Sequence, residues 1–365
     1  MPRRLTARID WVLLAVVLAL VVIGLTMIFS STRAEMGTRK LVLQAIWALM
    51  GLALLFLFAC VDYSRWQSLA VPLLGVTIVL LVVVLGLGHL IKGAARWIPV
   101  GPLNVQPSEL LKIALILALG GFLASREEEV EDFGLVLKSL VYMGGPTLLV
   151  MAQPDLGTPV LLFLMWLAMA LVAGCRLTHL GGLALAFVML FVAAWGLDII
   201  RPHQKERLAA FLETDADPRG ANWQQRQSLI AIGSGHLLGK GLFKGTQSRL
   251  RFVPDKETDF IFTVIGEEGG FVGSVLVLGL FGVVLYRGLA IAAAAKDTSG
   301  RLMATGVVAM VLVHVLVNVG MATGLGPVKG MPLPFVSYGG SNMLTMMAGI
   351  GLLQSVHIHR QKITF

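Results

Sequence analysis

The sequence predicts an all-α polytopic integral membrane protein of about ten transmembrane helices, with one long extracytoplasmic loop between the seventh and the eighth. Composition and spacing carry that reading. Of 365 residues 56% are hydrophobic, and the mean hydropathy is +0.83. Only 14% are charged, where a soluble domain carries about 25%, so a soluble globular fold is excluded. The same apolar content excludes a disordered chain. Two cysteines, Cys60 and Cys175, leave no disulfide framework. The formal charge of +8 has to be read against the side of the membrane it occupies, and it does not point to nucleic acid.

Apolar runs long enough to cross a bilayer follow one another along the chain. The first, 11–30, is full length and lacks a small-residue cleavage site, so it reads as a span and not as a removable signal peptide. Runs at 41–61 and 69–90 follow. The fourth, 107–125, opens on Pro107-Ser108, a helix start that Ser108 or Asn104 is placed to cap. Runs at 134–152, 158–174 and 178–198 precede the long loop, and runs at 260–286, 302–323 and 340–357 come after it. An even number of spans puts both termini on one side. With the N-terminus inside, the cytoplasmic segments hold eleven Lys/Arg: Arg3, Arg4, Arg8, Arg65, Arg126, Arg176, Arg287, Lys296, Arg301, Arg360 and Lys362. The short outer loops hold six: Arg33, Arg39, Lys40, Lys92, Arg96 and Lys329. That asymmetry predicts N-in, C-in, with both cysteines near the cytoplasmic face. No fixed-period repeat is visible, so nothing points to the inverted repeats of many transporters.

Segment 199–259 is the outlier. It is polar, holds ten Lys/Arg and lies on the outer face. A loop of that length in a compact bundle is usually functional or disordered, and function is the expectation here. Apolar periodicity at Leu208, Phe211 and Leu212, and again at Ile230, Ile232 and Leu237, suggests short amphipathic pieces on the membrane surface.

Charges inside spans cost about 2.5–3.5 kcal/mol each and are therefore functional candidates. Glu109 and Lys112 lie three apart on one face of the fourth span. They read either as an internal ion pair holding helices together or as a lysine facing phosphate and oriented by the glutamate. Asp155, in Gln153-Pro154-Asp155-Leu156-Gly157-Thr158, is either a helix cap or a second carboxylate at the same outer level. The densest constellation is Val253-Pro254-Asp255-Lys256-Glu257-Thr258-Asp259-Phe260, running into Gly266-Glu267-Glu268-Gly269-Gly270. Asp259 stands where the loop enters the eighth span, and a half-desolvated carboxylate there is a better base. The competing role for Thr258 or Asp259 is helix capping. Glu267 and Glu268 cannot both face lipid, so at least one should meet an Arg or Lys of the basic loop.

Other stretches are less specific. Gly233-Ser234-Gly235-His236-Leu237-Leu238-Gly239-Lys240-Gly241 departs from a phosphate loop at Ser234 and Gly241. Its glycines can still form an anion-binding nest with Lys240 and Lys244, or simply a flexible loop. Asp215-Ala216-Asp217 reads as a turn. His314 and Asn318, four apart in the ninth span, suit interhelical hydrogen bonds. No His/Cys/Asp spacing prescribes a metal site, and no nucleophile elbow is present. The run Gly326 to Ser341, which includes Ser337, is too rich in Pro and Gly for a helix and too apolar for a solvated loop. It reads as a re-entrant or interfacial segment packed into the bundle.

Three stretches together resemble the SEDS family (shape, elongation, division, sporulation) of bacterial cell-wall polymerases. They are Gln106-Pro107-Ser108-Glu109 with Lys112; the run from Gln227-Ser228 through Gly239-Lys240-Gly241 to Thr258-Asp259-Phe260 and Glu267-Glu268; and Asn318 through Ser341. The run Gly245-Thr246-Gln247-Ser248, the short N-terminus and the absence of long tails are similar to the members that serve elongation. Asn342 stands where a second Ser is usual in the family, and Asn104 where some relatives have Arg. The resemblance implies a single transmembrane domain over residues 1–365. It implies a peptidoglycan glycosyltransferase that polymerises lipid II at the outer face of the bacterial cytoplasmic membrane, beside a class B penicillin-binding protein. The family's essential carboxylate maps onto Asp259, and its other polar residues onto Glu109, Lys112 and Asp155.

Inverting transfer from an α-linked pyrophosphate needs one general base. It needs no strong acid, because pyrophosphate leaves readily once its charge is neutralised; glycoside hydrolysis, by contrast, requires two carboxylates. Asp259 is the expected base, and Lys112 and Lys240 are expected on the pyrophosphate. Glu109, Asp155 and Ser337 complete the expected substrate site. The chemistry leaves room for a divalent cation (Mg or Mn). The rival reading is a lipid II flippase, for which ten spans and intramembrane charges are equally suitable. Against it, the polar candidates cluster toward the outer face, whereas alternating access places them at the midplane. A non-enzymatic scaffold has no reason to bear the desolvation of Glu109, Lys112 and Asp259.

Overall fold

The computed structural model describes residues 8–87, 89–91, 94–100, 103–153, 157–196, 221–246, 255–328 and 330–360. Each of the ten apolar runs falls on a helix. These are α1 (Trp11–Met36), α2 (Arg39–Cys60), α4 (Ala70–Leu87), α5 (Pro107–Ala124), α6 (Phe133–Ala152), α7 (Gly157–Ala173), α8 (Leu177–Gly196), α10 (Ile261–Ala293), α11 (Thr298–Ala322) and α12 (Gly340–Ile358). Two more lie between them, the short α3 (Tyr63–Ser68) and α9 (Ala221–Gly233) inside the long loop. Among the described residues six helices are long and apolar enough to cross a membrane: α1, α2, α5, α6, α10 and α11. Helices α4, α7 and α8 are shorter apolar helices.

Helix α12 is less apolar for a physical reason: protein surrounds it. Ser341, Asn342, Thr345, Gln354 and Ser355 are all buried, as are Met343, Met346, Ile350 and Leu353 between them. Helices α5 and α11 share this inner position, each 78% buried over its most apolar window. Polar side chains are tolerable on these three helices because they face one another and not lipid.

One end of the bundle gathers both ends of the described chain. Asp10 caps α1 by accepting from the Leu13 amide at 3.0 Å and takes a bond from Arg287 of α10 at 2.7 Å. Its backbone exchanges two bonds of 2.9 Å with the Gln354 side chain of α12. At the same end, Tyr63 donates to Asp297 at 2.7 Å, and burial, reinforced by that carboxylate, pushes its phenol above the usual range. The opposite end holds the starts of α2, α5, α10 and α12, and with them every described candidate residue at the outer level.

The all-α reading leaves out one feature at that end. The β-branched and aromatic stretch after α4 forms a small antiparallel sheet of β1 (His89–Ile91), β2 (Ala94–Val100) and β3 (Leu103–Val105) in the order β1-β2-β3. It leads into α5, where Ser341 links the two elements. The Ser341 hydroxyl accepts from the Gln106 amide at 3.1 Å and donates to the Asn104 carbonyl at 3.2 Å. Neither Ser108 nor Asn104 caps α5: the N-cap is Gln106, without a side-chain bond, and Pro107 occupies the first turn.

The Pro/Gly-rich segment before α12 is re-entrant as expected. Leu333, Phe335, Val336 and Ser337 are buried. The backbone at Phe335 and Val336 lies against Gly24, near the middle of α1, where an added Cβ would come within 2.7 Å of the Val336 backbone.

Helix α10 is broken at Gly270, whose φ of 64° is left-handed. The break frees backbone groups on either side, and the loop after α9 takes them up. Lys240 and Gly241 amides donate to the Glu267 and Glu268 carbonyls at 3.0 Å each, while Phe271 and Val272 amides donate to the His236 and Leu237 carbonyls at 2.9 and 3.1 Å. Backbone meets backbone so closely that a Cβ on Gly270 would sit 2.3 Å from the Gly239 nitrogen. Gly270→Ala is therefore expected to cost at least about 2 kcal/mol and lower the thermal midpoint in detergent. Gly144→Ala in α6, where a Cβ meets nothing within 4 Å, is expected to leave it unchanged or raised. Equal midpoints for the two variants would contradict this packing.

Candidate functional site

The site is built on that broken helix. Glu267 and Glu268 lie one turn before Gly270 and are fully buried, so each needs donors from the chain itself. Glu267 accepts from Lys240 Nζ at 2.7 Å, from the Thr246 amide at 2.7 Å and from the Thr246 hydroxyl at 3.1 Å. Glu268 accepts from the Ser30 hydroxyl of α1 and from the Phe243 and Gly245 amides at 3.0 and 3.3 Å. A nest of amides does form here, but the anion it holds is the protein's own carboxylate. Lys240, expected on pyrophosphate, is committed to Glu267 and to the Thr246 hydroxyl at 2.8 Å. These bonds fasten the basic loop to α10. Helix α9 is fastened too: Ser228 is buried, bonding Thr263 and the Ala322 carbonyl, while Gln225 donates to the Met321 and Gly326 carbonyls at 3.1 and 2.8 Å. So α9 packs on α10 and α11 instead of lying on the membrane surface by itself, although Leu229 and Ile230 remain exposed. Leu208, Phe211, Leu212 and the Asp215-Ala216-Asp217 turn fall outside the described residues.

The acidic turn 255–260 precedes α10. The Asp255 carbonyl accepts from the Thr258, Asp259 and Phe260 amides and from the Thr258 hydroxyl, winding the segment into a tight turn. The N-cap of α10 is Phe260 and has no side-chain bond, so neither Thr258 nor Asp259 caps the helix. Capping therefore does not account for Asp259. Its half-buried carboxylate lies beside Gly330 of the re-entrant segment, where an added Cβ would meet Oδ2 at 3.1 Å. Asn318 of α11 fixes the backbone of both segments, its Nδ2 donating to the Asp259 carbonyl at 2.8 Å and to the Met331 carbonyl at 2.7 Å. Ser337 reinforces the same seam: it donates to the Thr258 carbonyl and accepts from the Leu333 amide at 2.8 Å. The Tyr338 amide donates to the Glu257 carbonyl at 2.8 Å.

One turn along α11 from Asn318, His314 faces α5. Lys112 is 2% exposed and donates to Glu109 Oε1 at 2.7 Å, and His314 Nε2 lies 3.1 Å from its Nζ. Glu109 Oε2 is buried without a hydrogen-bond partner among the described residues. The two polar contacts of α11, with Lys112 and with the Asp259 backbone, are thus about 6 Å apart along one helix face. Glu109 and Lys112 form the contact that both readings of them require, an ion pair and a glutamate that orients the lysine. Asp155 lies outside the described residues.

Sequence reasoning missed the role of α2. Lys40 pairs with Glu257, and its ammonium sits 5.7 Å from the Tyr338 ring centroid. Gln44 donates to the Ser337 carbonyl at 3.2 Å and accepts from the Gly339 amide at 3.1 Å. The signal was one polar residue, Gln44, in an otherwise apolar run. Among the described residues no three His, Cys, Asp or Glu side chains converge in a way that would hold a metal ion.

A bundle of apolar helices with an ordered network of carboxylates, lysines and amides at one end is a polytopic membrane protein with a polar site at one of its surfaces. Comparison with known proteins gives its family. Residues 8–362 match the FtsW/RodA/SpoVE family of cell cycle proteins, and the chain belongs to that family. It is 40% identical to peptidoglycan glycosyltransferase MrdB of Escherichia coli K12 over 98% of this chain and 95% of that one. It is 37% identical to stage V sporulation protein E of Bacillus subtilis over 95% and 96%. Among solved structures it superposes on the rod-shape-determining protein RodA of Thermus thermophilus with a TM-score of 0.69, at 32% identity over 97% and 98% of the two chains. It also superposes on a chain of a peptidoglycan synthase complex that coordinates polymerization and crosslinking, with a TM-score of 0.80 at 33% identity over 96% and 98%.

The bracket formed by Asn318 is testable without an activity assay. Asn318→Leu keeps the volume and strips the donor from the Asp259 and Met331 carbonyls, an expected loss of about 2–5 kcal/mol. The reading is the thermal midpoint in detergent; a midpoint equal to wild type would show that Asn318 does not hold the seam.

Proposed function

We infer that this chain is a peptidoglycan glycosyltransferase that polymerises lipid II into glycan strands during cell elongation. Full-length similarity to the named glycosyltransferases supports the activity. The single structural observation that carries it is the placement of Asp259: a carboxylate that does not cap its helix, set between α10 and Gly330 with its backbone bracketed by Asn318.

In this reading an acceptor sugar hydroxyl attacks the anomeric carbon of an α-linked donor. The new glycosidic C–O bond forms as the bond to pyrophosphate breaks, the electron pair leaves with the pyrophosphate, and the hydroxyl proton passes to Asp259. Lys112 and Lys240 are assigned to the pyrophosphate. Each has three N–H donors, and among the described residues two protein acceptors meet them: Glu109 and His314 for Lys112, Glu267 and Thr246 for Lys240. The pairing carboxylates hold each ammonium in place while a donor is left for substrate oxygen. Because Glu109 balances Lys112, that contact acts by hydrogen bonding more than by net charge. Ser337 supports Asp259 through the backbone, and Asp155 is assigned to the substrate site on the sequence alone. A divalent cation, if bound, would supply further neutralisation of the pyrophosphate.

The Lys/Arg asymmetry supports an orientation with the Asp10 end in the cytoplasm and Asp259 facing outward from the bacterial cytoplasmic membrane. The likeness to a chain of a synthase complex supports a crosslinking partner, a class B penicillin-binding protein.

Asp259→Asn removes the base and keeps the shape. Polymerisation of purified lipid II is expected to fall by about 10²–10⁴-fold with an unchanged thermal midpoint. A variant polymerising at the wild-type rate would remove Asp259 from the mechanism.

A further inference from the structure

We propose that His314 is a positioning residue for the polymerisation reaction, acting as the acceptor that aims the Lys112 ammonium from across the bundle. The inference rests on the glycosyltransferase reading above and assigns a role to a side chain that reading does not need.

The two contacts of the imidazole fix its chemical state. Nδ1 lies 2.8 Å from the Met310 carbonyl, which can only accept, so Nδ1 carries the hydrogen. Nε2 lies 3.1 Å from the Lys112 ammonium, which can only donate, so Nε2 presents its lone pair. One neutral tautomer satisfies both, and the bond to Met310, one turn back on the same helix, locks the ring plane.

Among the described residues, without His314 the ammonium would be directed by Glu109 alone, three residues away on the same helix, at the end of a four-carbon stem with several rotamers. His314 adds a second direction from α11. The same face of α11 carries Asn318, which holds the Asp259 backbone. One rigid helix therefore fixes both the assigned base and the assigned cation, with contact points about 6 Å apart along its axis. Two acceptors of fixed direction leave the third N–H of Lys112 one direction, and preorganisation of that kind matters most as charge develops on the leaving group.

A purely structural histidine would merely satisfy a buried lysine, so the test separates the two roles. His314→Leu removes the acceptor at similar volume; His314→Gln restores one through its carbonyl oxygen. Polymerisation of lipid II by full-length protein is measured for wild type and both variants, together with thermal midpoints. Expected are a fall in kcat of roughly 10- to 100-fold for His314→Leu with KM changed less than about threefold, and recovery to within about fivefold of wild type for His314→Gln. The inference is overturned if folded His314→Leu keeps the wild-type kcat, or if both variants lose kcat equally. Strands from wild type show that the glycosyltransferase reading stands whichever way the variants fall; no strands from folded wild type would remove that reading and this inference with it.

Discussion

A carboxylate buried among apolar helices has to be met by donors from the same chain, and this constraint organises the structure. Glu267 and Glu268 on α10 draw in Ser30 of α1 and the amides and lysine of the 240–246 loop. The Asp10 carboxylate draws Arg287 to the other end, where Gln354 bonds the Asp10 backbone. Glu257 takes Lys40 of α2, and Glu109 takes Lys112. Each pairing joins elements or neighbouring turns that hydrophobic burial alone would leave free to slide, since lipid tails are as apolar as leucine. The break at Gly270 belongs to the same scheme: it exposes the backbone groups that the loop needs in order to close over the two glutamates.

From this follows a division of labour among the helices. Exposed Val, Leu and Phe on α1, α2, α4, α6, α8 and α10 face outward, while α5, α11 and α12 are the more enclosed and carry Glu109, Lys112, His314, Asn318 and the buried polar residues of α12. Enclosure makes Lys112, His314 and Asn318 affordable inside a membrane-spanning bundle, because every one of them finds a partner on a facing element. Helix α11 then serves as a ruler, setting the depth of Lys112 against that of the Asp259 turn. The geometry of the polar site depends on registry in the core.

Much of this was legible in the sequence. The ten apolar runs are helices because twenty consecutive apolar residues have few other folds in a membrane. The re-entrant segment announced itself by Pro and Gly in apolar company, and the i, i+4 pair His314 and Asn318 by polarity within a span. That Glu267 or Glu268 meets a basic residue of the loop followed from the cost of a buried carboxylate; that the residue is Lys240, expected on pyrophosphate, did not. What stayed hidden depends on which segments meet. The turn before Phe260 looked like a cap, and only the winding around the Asp255 carbonyl shows otherwise. Gly235, Gly239 and Gly241 looked like an anion nest; two of them in fact lie against the carbonyls of α10, an approach that no local pattern encodes. The sheet before α5 was invisible because three short strands lack a period long enough to register. Gln44 was passed over as a lone polar residue.

The central claim is that the polar site at the Asp259 end performs glycosyl transfer and not lipid transport. The most direct test reconstitutes the protein with a transpeptidase-inactivated class B penicillin-binding protein in liposomes carrying fluorescent lipid II, and follows strand formation and transbilayer movement of the label together. The account predicts glycan strands made from lipid II in the leaflet facing the Asp259 end, with movement across the bilayer no faster than in protein-free liposomes. Rapid movement of lipid II without strands would contradict it.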